Sequence, residues 1–185
     1  MPETFRAPIG TQDVLPPASA RWQALIATFA GLAERYGHGL VHGPMFEDVA
    51  VFARLGAGTD IVRKEMYDFR DKGDRHLALR PEATASVVRA FVQHRPTTPW
   101  KVWCLTPAFR YERPQAGRLR QHHQLDVEVI GAADPDVDVE VIALGAGADP
   151  ALLGTSVLGP TLFQAQRGGL AGACLEAGQA ESALL

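Results

Sequence analysis

An α+β fold, an antiparallel sheet with flanking helices, is predicted by three observations. Residues 107–131, PAFRYERPQAGRLRQHHQLDVEVIG, read as strand, loop, strand. Side chains there alternate with period two on both sides of a loop marked by Pro114 and Gly117. Residues 65–80 hold two shorter alternating runs around Asp71-Lys72-Gly73-Asp74, a hairpin signal. Two further segments, 19–36 and 81–94, carry apolar residues at helical spacing.

In chain order, residues 1–17 contain Pro and Gly and read as an extended arm, ordered by packing on the domain. In residues 19–36, Trp22, Leu25, Ile26, Phe29 and Leu32 share one helical face. Ser19 is a candidate N-cap, and Gly37 stands where a C-terminal glycine belongs. This stripe is assigned to the core and carries no chemistry. Residues 40–47 read as a short strand broken by Gly43-Pro44; a proline tolerated in a strand points to an edge or a bulge, and His42 is an ordinary strand residue. Gly56-Ala57-Gly58-Thr59-Asp60 lacks the Lys-Ser/Thr ending of a phosphate loop and reads as a turn. Pro81 is placed at the first helical position, where its missing N–H is harmless, with Val87, Val88, Phe91 and Val92 facing inward. Residues 100–105 form an apolar strand feeding the central hairpin, with Lys101 and Cys104 lacking a partner visible in sequence. From about residue 145 the chain turns Gly-, Ala- and Leu-rich and nearly uncharged. The expected division is a core at 1–144 and a poorly packed tail at 145–185; a truncation or a change of reading frame would produce such a switch.

Composition bounds the function. The length suffices for one domain with a sizeable core. Hydrophobic residues make up 46% and charged residues 21%, which places the chain among globular proteins. A net charge of −3 excludes a uniformly basic nucleic-acid binder, so any RNA contact needs a local patch. Cys104 and Cys174 are far apart and in no ligand pattern, which suits a reduced, cytoplasmic chain. The N-terminus lacks an apolar signal segment, and no stretch is long enough to span a membrane.

The candidate site lies on the central hairpin. Period two puts Arg110 and Glu112 on one face, with Phe109 and Tyr111 on the other. In the second strand Leu125, Val127 and Val129 point one way, and Arg120, His122, Gln124 and Glu128 the other. A solvated outer sheet face accounts for the same alternation. Donor-rich composition, and the three arginines Arg113, Arg118 and Arg120 in and beside the loop, favour a site for an anionic, planar ligand. A zinc site on His122-His123 fails because adjacent strand residues face opposite ways.

The run FRYERPQAGRLRQHHQLDVEVIG closely resembles motif 2 of class II aminoacyl-tRNA synthetases, in the histidyl-tRNA synthetase version. Arg80-Pro81-Glu82-Ala83-Thr84-Ala85 resembles a second family motif, Gly10 to Pro16 the N-terminal signature, and the segment around Pro44 and Glu47 motif 1. The likeness covers about residues 10–144. It implies a class II synthetase core and ATP-dependent activation of histidine, followed by transfer to tRNA(His). By resemblance Arg110 is catalytic and sits at the α-phosphate, and Arg110, Glu112, Arg118 and His122 bind ATP with Mg²⁺. Glu82, Thr84, Gln124 and Glu128 bind histidine, Glu82 taking its ammonium group and Glu128 facing its imidazole. Pro44 would lie at a homodimer interface, and no metal ligand set of the chain's own is implied.

Two departures stand out. The family usually has Gly where this chain has Ala83, so a methyl is expected beside the substrate. It commonly has Phe where this chain has His122, a smaller ring that can carry charge. A motif 3 arginine, a histidine-binding Arg-Gly-Leu-Asp-Tyr-Tyr-like segment and an anticodon-binding domain have no counterpart in the sequence. The resemblance therefore implies part of a ligase. The alternatives are a histidine-sensing regulatory subunit of ATP phosphoribosyltransferase and an inactive truncated product. Retention of Arg110, Glu112 and Arg118 argues against the sensor.

Overall fold

The computed structural model describes residues 5–53, 64–113 and 118–147, and the backbone of 162–167. The proposed turn at 56–60 lies outside these residues. The first helix, α1, spans Ala18–Arg35 and buries Leu25, Phe29, Leu32 and Ala33. Its N-cap is Pro17, not the expected Ser19, and no side chain caps it. Ser19 N–H already donates to the Leu15 carbonyl and Ala20 N–H to that of Pro17, so the preceding turn satisfies the first donors. At the other end Gly37 adopts φ +79°, and the His38 N–H returns to the Ala33 carbonyl, as a glycine C-terminus requires.

Residues 40–47 are indeed interrupted. Strand β1 is Gly39–Leu40 and β2 is Phe46–Asp48, followed by the short helix α2, Val49–Ala53. Strands β3 (Asp68–Arg70) and β4 (His76–Leu79) form the expected hairpin, closed by Asp71, whose carboxylate accepts N–H bonds from Gly73 and Arg75. The second long helix, α3, spans Thr84–His94. It does not start at Pro81. The Arg80 carbonyl accepts from Phe109 N–H and the Pro81 carbonyl from Arg110 Nε, and these bonds hold the segment against the sheet before the helix begins.

The centre of the molecule is a ten-residue antiparallel pair, β5 (Trp100–Phe109) and β6 (Gln121–Ile130), in register from Trp100 opposite Ile130 to Phe109 opposite Gln121. Strand β1 joins β5 in parallel, and β7 (Leu162–Arg167) joins β6 in parallel. The sheet order is β1-β5-β6-β7, so its outer pairs are parallel while its centre is antiparallel as predicted. A second, antiparallel sheet has the order β2-β4-β3. Helix α4, Pro135–Gly147, follows β6.

The helices lie on opposite faces of the large sheet. Leu25, Phe29, Leu32 and Ala33 of α1 pack on Trp103, Leu125, Val127 and Val129, with Val141 and Leu144 of α4. Ala83 and α3, through Val87 and Phe91, pack on Val102, Cys104 and Ile130. The apolar half of the β6 alternation therefore meets α1 as the sequence pattern demands. Its polar half lies beneath the start of α3.

Candidate active site

The site is built from three segments: the run from Arg80 into α3, the far end of β5, and β6. Strand periodicity places His122, Gln124, Asp126 and Glu128 on one face of β6, opposite Ala108, Thr106, Cys104 and Val102 of β5. This face was expected to be open. Instead Gln124 is 0%, Asp126 1%, Glu128 2% and His122 5% exposed, because the turn into α3 closes over them. Thr84 Oγ1 donates to Glu128 Oε1 at 2.6 Å, a bond spanning 44 residues of sequence.

Glu82 stands just before α3, and its carboxylate accepts the Ala85 N–H at 3.0 Å, so a helix N-terminus helps hold it. Burial raises its pKa, offset in part by bonds from Ala85 and Thr84 and by the charge of Arg110. Glu128 is raised to about 7, chiefly by burial, with the Thr84 bond working against it and Glu82 adding to it. Its second oxygen has no hydrogen-bond partner among the described residues. His122 is lowered to about 4 by burial and then by Arg110 and His123. The anticipated charge on this ring is therefore absent at neutral pH, and it is a neutral imidazole that faces Arg110. His123 points to the other face and meets Trp22 edge-to-face at 4.8 Å, as the argument against a shared metal required.

The second expected departure is also resolved by packing. The Ala83 methyl is buried in the apolar cluster with Val87, Phe91 and Cys104. The extra carbon fills core.

At the mouth of the hairpin the periodic argument fails. Strand β5 ends at Phe109, and Glu112 N–H donates to the Arg110 carbonyl at 2.8 Å. Such an i to i+2 bond closes a tight turn, so Arg110 and Glu112 are not strand neighbours on one face. Arg110 Nε donates to the Pro81 carbonyl at 2.9 Å, which ties the hairpin to the turn before α3. Arg118 Nε lies 2.9 Å from Glu112 Oε2 across the loop. Arg120, grouped with the polar face by sequence, stacks over the Tyr111 ring at 4.0 Å and donates to the Glu112 carbonyl. Its N–H bonds the Gly10 carbonyl, and a Cβ at Gly10 (φ +82°) would lie 2.6 Å from the Arg120 side chain. The N-terminal arm is thus ordered by docking on the loop that follows β5.

Pro44 lies between β1 and β2, exposed, with its carbonyl accepting from Arg80. Both neighbouring strands are sheet edges, in keeping with the edge reading. Glu47 is buried and pairs with Arg89 at 2.6 Å, joining β2 to α3.

Two participants escaped the sequence reading. Asp126 shares the parity of Gln124 and Glu128, and that signal was there to be used. Arg80 is buried, with Nε on the Pro107 carbonyl at 2.8 Å and the guanidinium also reaching Gly43 and Pro44. It brings positive charge to Asp126 and Cys104 from behind. Nothing in a strand-end arginine signals that.

A sheet floor carrying this amide and carboxylate row, with an arginine at the strand end and a Glu-X-Thr helix start above it, defines the core of a class II aminoacyl-tRNA synthetase. A histidyl-tRNA synthetase family profile matches residues 10–158. The histidine–tRNA ligase of Levilactobacillus brevis is 54% identical over 147 residues, which is 76% of this chain and 34% of that protein. The Halothermothrix orenii ligase is 52% identical over 144 residues, again 76% and 34%. The apo histidyl-tRNA synthetase of S. aureus superposes with a TM-score of 0.65 at 38% identity, over 77% of this chain and 33% of that one. A Bacillus halodurans protein, described as an ATP phosphoribosyltransferase regulatory subunit/histidyl-tRNA synthetase, shares the fold with a TM-score of 0.67 at 23% identity, over 84% and 39%. This chain belongs to the histidyl-tRNA synthetase family. It spans about a third of the length of the curated relatives it matches. No described helix is long and apolar enough to cross a membrane.

Proposed function

We propose that this chain supplies the histidine- and ATP-binding half of a histidine–tRNA ligase active site. The observation that carries the reading is the Thr84–Glu128 bond, which brings two motifs far apart in sequence into one buried polar face. On this reading Glu82 and Thr84 receive the α-ammonium group, Gln124 orients the amino acid, and Glu128 accepts an imidazole N–H through its unpartnered oxygen. The histidine carboxylate attacks the α-phosphorus of ATP. A P–O bond forms, the bond to the bridging oxygen breaks, and pyrophosphate leaves. Arg110 sits between the turn before α3 and the end of β5, where it would neutralise charge on the attacking carboxylate and the α-phosphate. No protein nucleophile is required; positioning and charge stabilisation do the work.

ATP would release Arg118 from Glu112, freeing one cation for the outer phosphates and one carboxylate for the adenine or a metal-bound water. His122, neutral and beside Arg110, suits stacking on adenine. Magnesium would arrive with the nucleotide, since it keeps phosphate and water ligands and needs few protein groups, and would offset charge on the phosphates. The residues present fit that mode. Glu112, the loop carboxylate beside Arg118, is the group that suits it. Transfer to tRNA(His), a homodimer through the edge around Pro44, and a cytoplasmic location belong to the same proposal.

A thermal melt of the chain alone, with histidine, and with histidine, ATP and Mg²⁺ tests it. Each ligand at a hundredfold its dissociation constant should add about 2.7 kcal/mol. Arg110→Ala should abolish the ATP increment and reduce that of histidine by less. A cooperative melt indifferent to both ligands overturns the reading. A shift with histidine and none with ATP moves it to a histidine sensor.

A further inference from the structure

The β6 face holds one group that the reading above does not use. Asp126 stands between Gln124 and Glu128 at alternate strand positions and is almost wholly buried. Across the pair the Cys104 thiol donates to its Oδ2 at 3.8 Å, a weak bond for a carboxyl group. Around it lie groups that do lack partners. Glu128 Oε2 and the Thr106 hydroxyl, both shut off from water and both on this face, have no hydrogen bond among the described residues. Asp126 and Glu128 are thus buried neighbours on β6, half-buried Glu82 adds its charge from the turn before α3, and the Arg80 guanidinium is spent on backbone carbonyls.

Buried polar atoms are nearly always satisfied, and a buried carboxylate is costly unless it meets a cation or a donor. We propose that Asp126 is a third ligand-binding carboxyl group, which makes the pocket selective for an amine carrying a second N–H-bearing basic group and couples its capture to proton release. The proposal rests on the histidine-binding reading and adds a residue and a proton to it.

The groups facing Asp126 are Glu128 on its own strand, Glu82 before α3, and Cys104 and Arg80 behind. Burial, then Glu128 and Glu82, raise Asp126 to about 8, while Cys104 and Arg80 pull weakly the other way. In the free protein it holds its proton at pH 7. A ligand with an ammonium and a basic ring favours the ionised form. The proton then leaves to solvent and the affinity climbs with pH until the ligand's own ammonium deprotonates.

Calorimetry of L-histidine binding to the full chain, in two buffers of different ionisation enthalpy, counts that proton directly. The wild type should release close to one proton near pH 7.5, and its affinity should rise on the order of tenfold from pH 6.5 to 8. Asp126→Asn keeps the size and removes that titration; it should release few protons and vary no more than about fourfold over that range, the part Glu128 supplies. Asp126→Ser serves as a second variant should the amide disturb folding, and a thermal melt of each checks that it folds. Wild-type binding with the same proton release in either folded variant overturns the role of Asp126 and leaves the histidine site standing. Absence of histidine binding by the folded wild type overturns both.

Discussion

The two faces of the β5–β6 hairpin are buried to the same degree and built on opposite principles. On one, Leu125, Val127 and Val129 meet Phe29, Leu32 and Trp103, and apolar surface is matched by apolar surface. On the other, His122, Gln124, Asp126 and Glu128 lie beneath the turn into α3, with Glu128 and His122 atoms lacking partners among the described residues. Burial by itself therefore does not separate core from site. The number of unpaired polar atoms differs: among the described residues the apolar face leaves the Trp103 indole nitrogen without a partner, while the polar face leaves atoms of Thr106, His122 and Glu128, and each unpaired buried group costs stability.

The sharpest way to break the comparison is to truncate each face. Phe29→Ala removes a ring that is almost fully buried and stands edge-on to Trp103 at 5.7 Å. It should cost about 3–5 kcal/mol in urea denaturation. Glu128→Gln, equally buried, should cost little above pH 7, because it deletes a charge the site disfavours; histidine binding, followed in the same samples, should be lost.

A smaller effect separates the faces by pH. Asp126 and Glu128 bind protons more tightly folded than unfolded, at about 8 and about 7 against the ordinary 3.8 and 4.5. The stability they lend is present at low pH and lost as pH rises through the folded values. Below about pH 6.5 the lowered pKa of buried His122 acts with the opposite sign, since the unfolded chain takes up the proton it refuses. Between pH 6.5 and 8 the carboxyl groups outweigh the histidines, of which His38 and His123 are also lowered by burial, and stability should fall by roughly 1–2 kcal/mol. A flat profile in that window would mean that these carboxyl groups are better solvated than the closed face implies.

Gly131, which ends the strand carrying both faces, adopts φ +83°, and a Cβ there would lie 2.4 Å from Thr98. Gly131→Ala should cost about 1–2 kcal/mol from backbone strain, with relief of the clash adding to it. The smallest effect is expected for Lys101→Met. Its ammonium pairs with Glu140 at 2.7 Å on the α4 side, partly exposed, and loss of the pair should cost under about 1 kcal/mol.

Much of the fold is legible in the sequence. The apolar stripe of α1, the Asp71–Asp74 turn and the two strands of the central hairpin follow from local periodicity and turn chemistry. The polar row of β6 was legible too, down to Gln124 and Glu128, because strand alternation is a local property. Failures cluster where backbone bonds to distant segments replace local preference. Pro81 does not open α3, since Arg80 and Pro81 are held by Phe109 and Arg110. The β5 alternation stops at Phe109, where the chain turns. Parallel pairing of β1 with β5 unites residues more than sixty positions apart, and no short-range pattern encodes that.

The sequence by itself determined which residues can share a face, because side-chain direction follows the backbone period, and it also carried the family, whose motifs are contiguous. Only the tertiary structure decided that the polar face is closed, that Ala83 belongs to the core, that His122 is neutral and that Asp126 is buried beside Glu128. Each of these depends on what lies across the space from a residue, and desolvation and unsatisfied hydrogen bonds exist only once a second element has come to cover it.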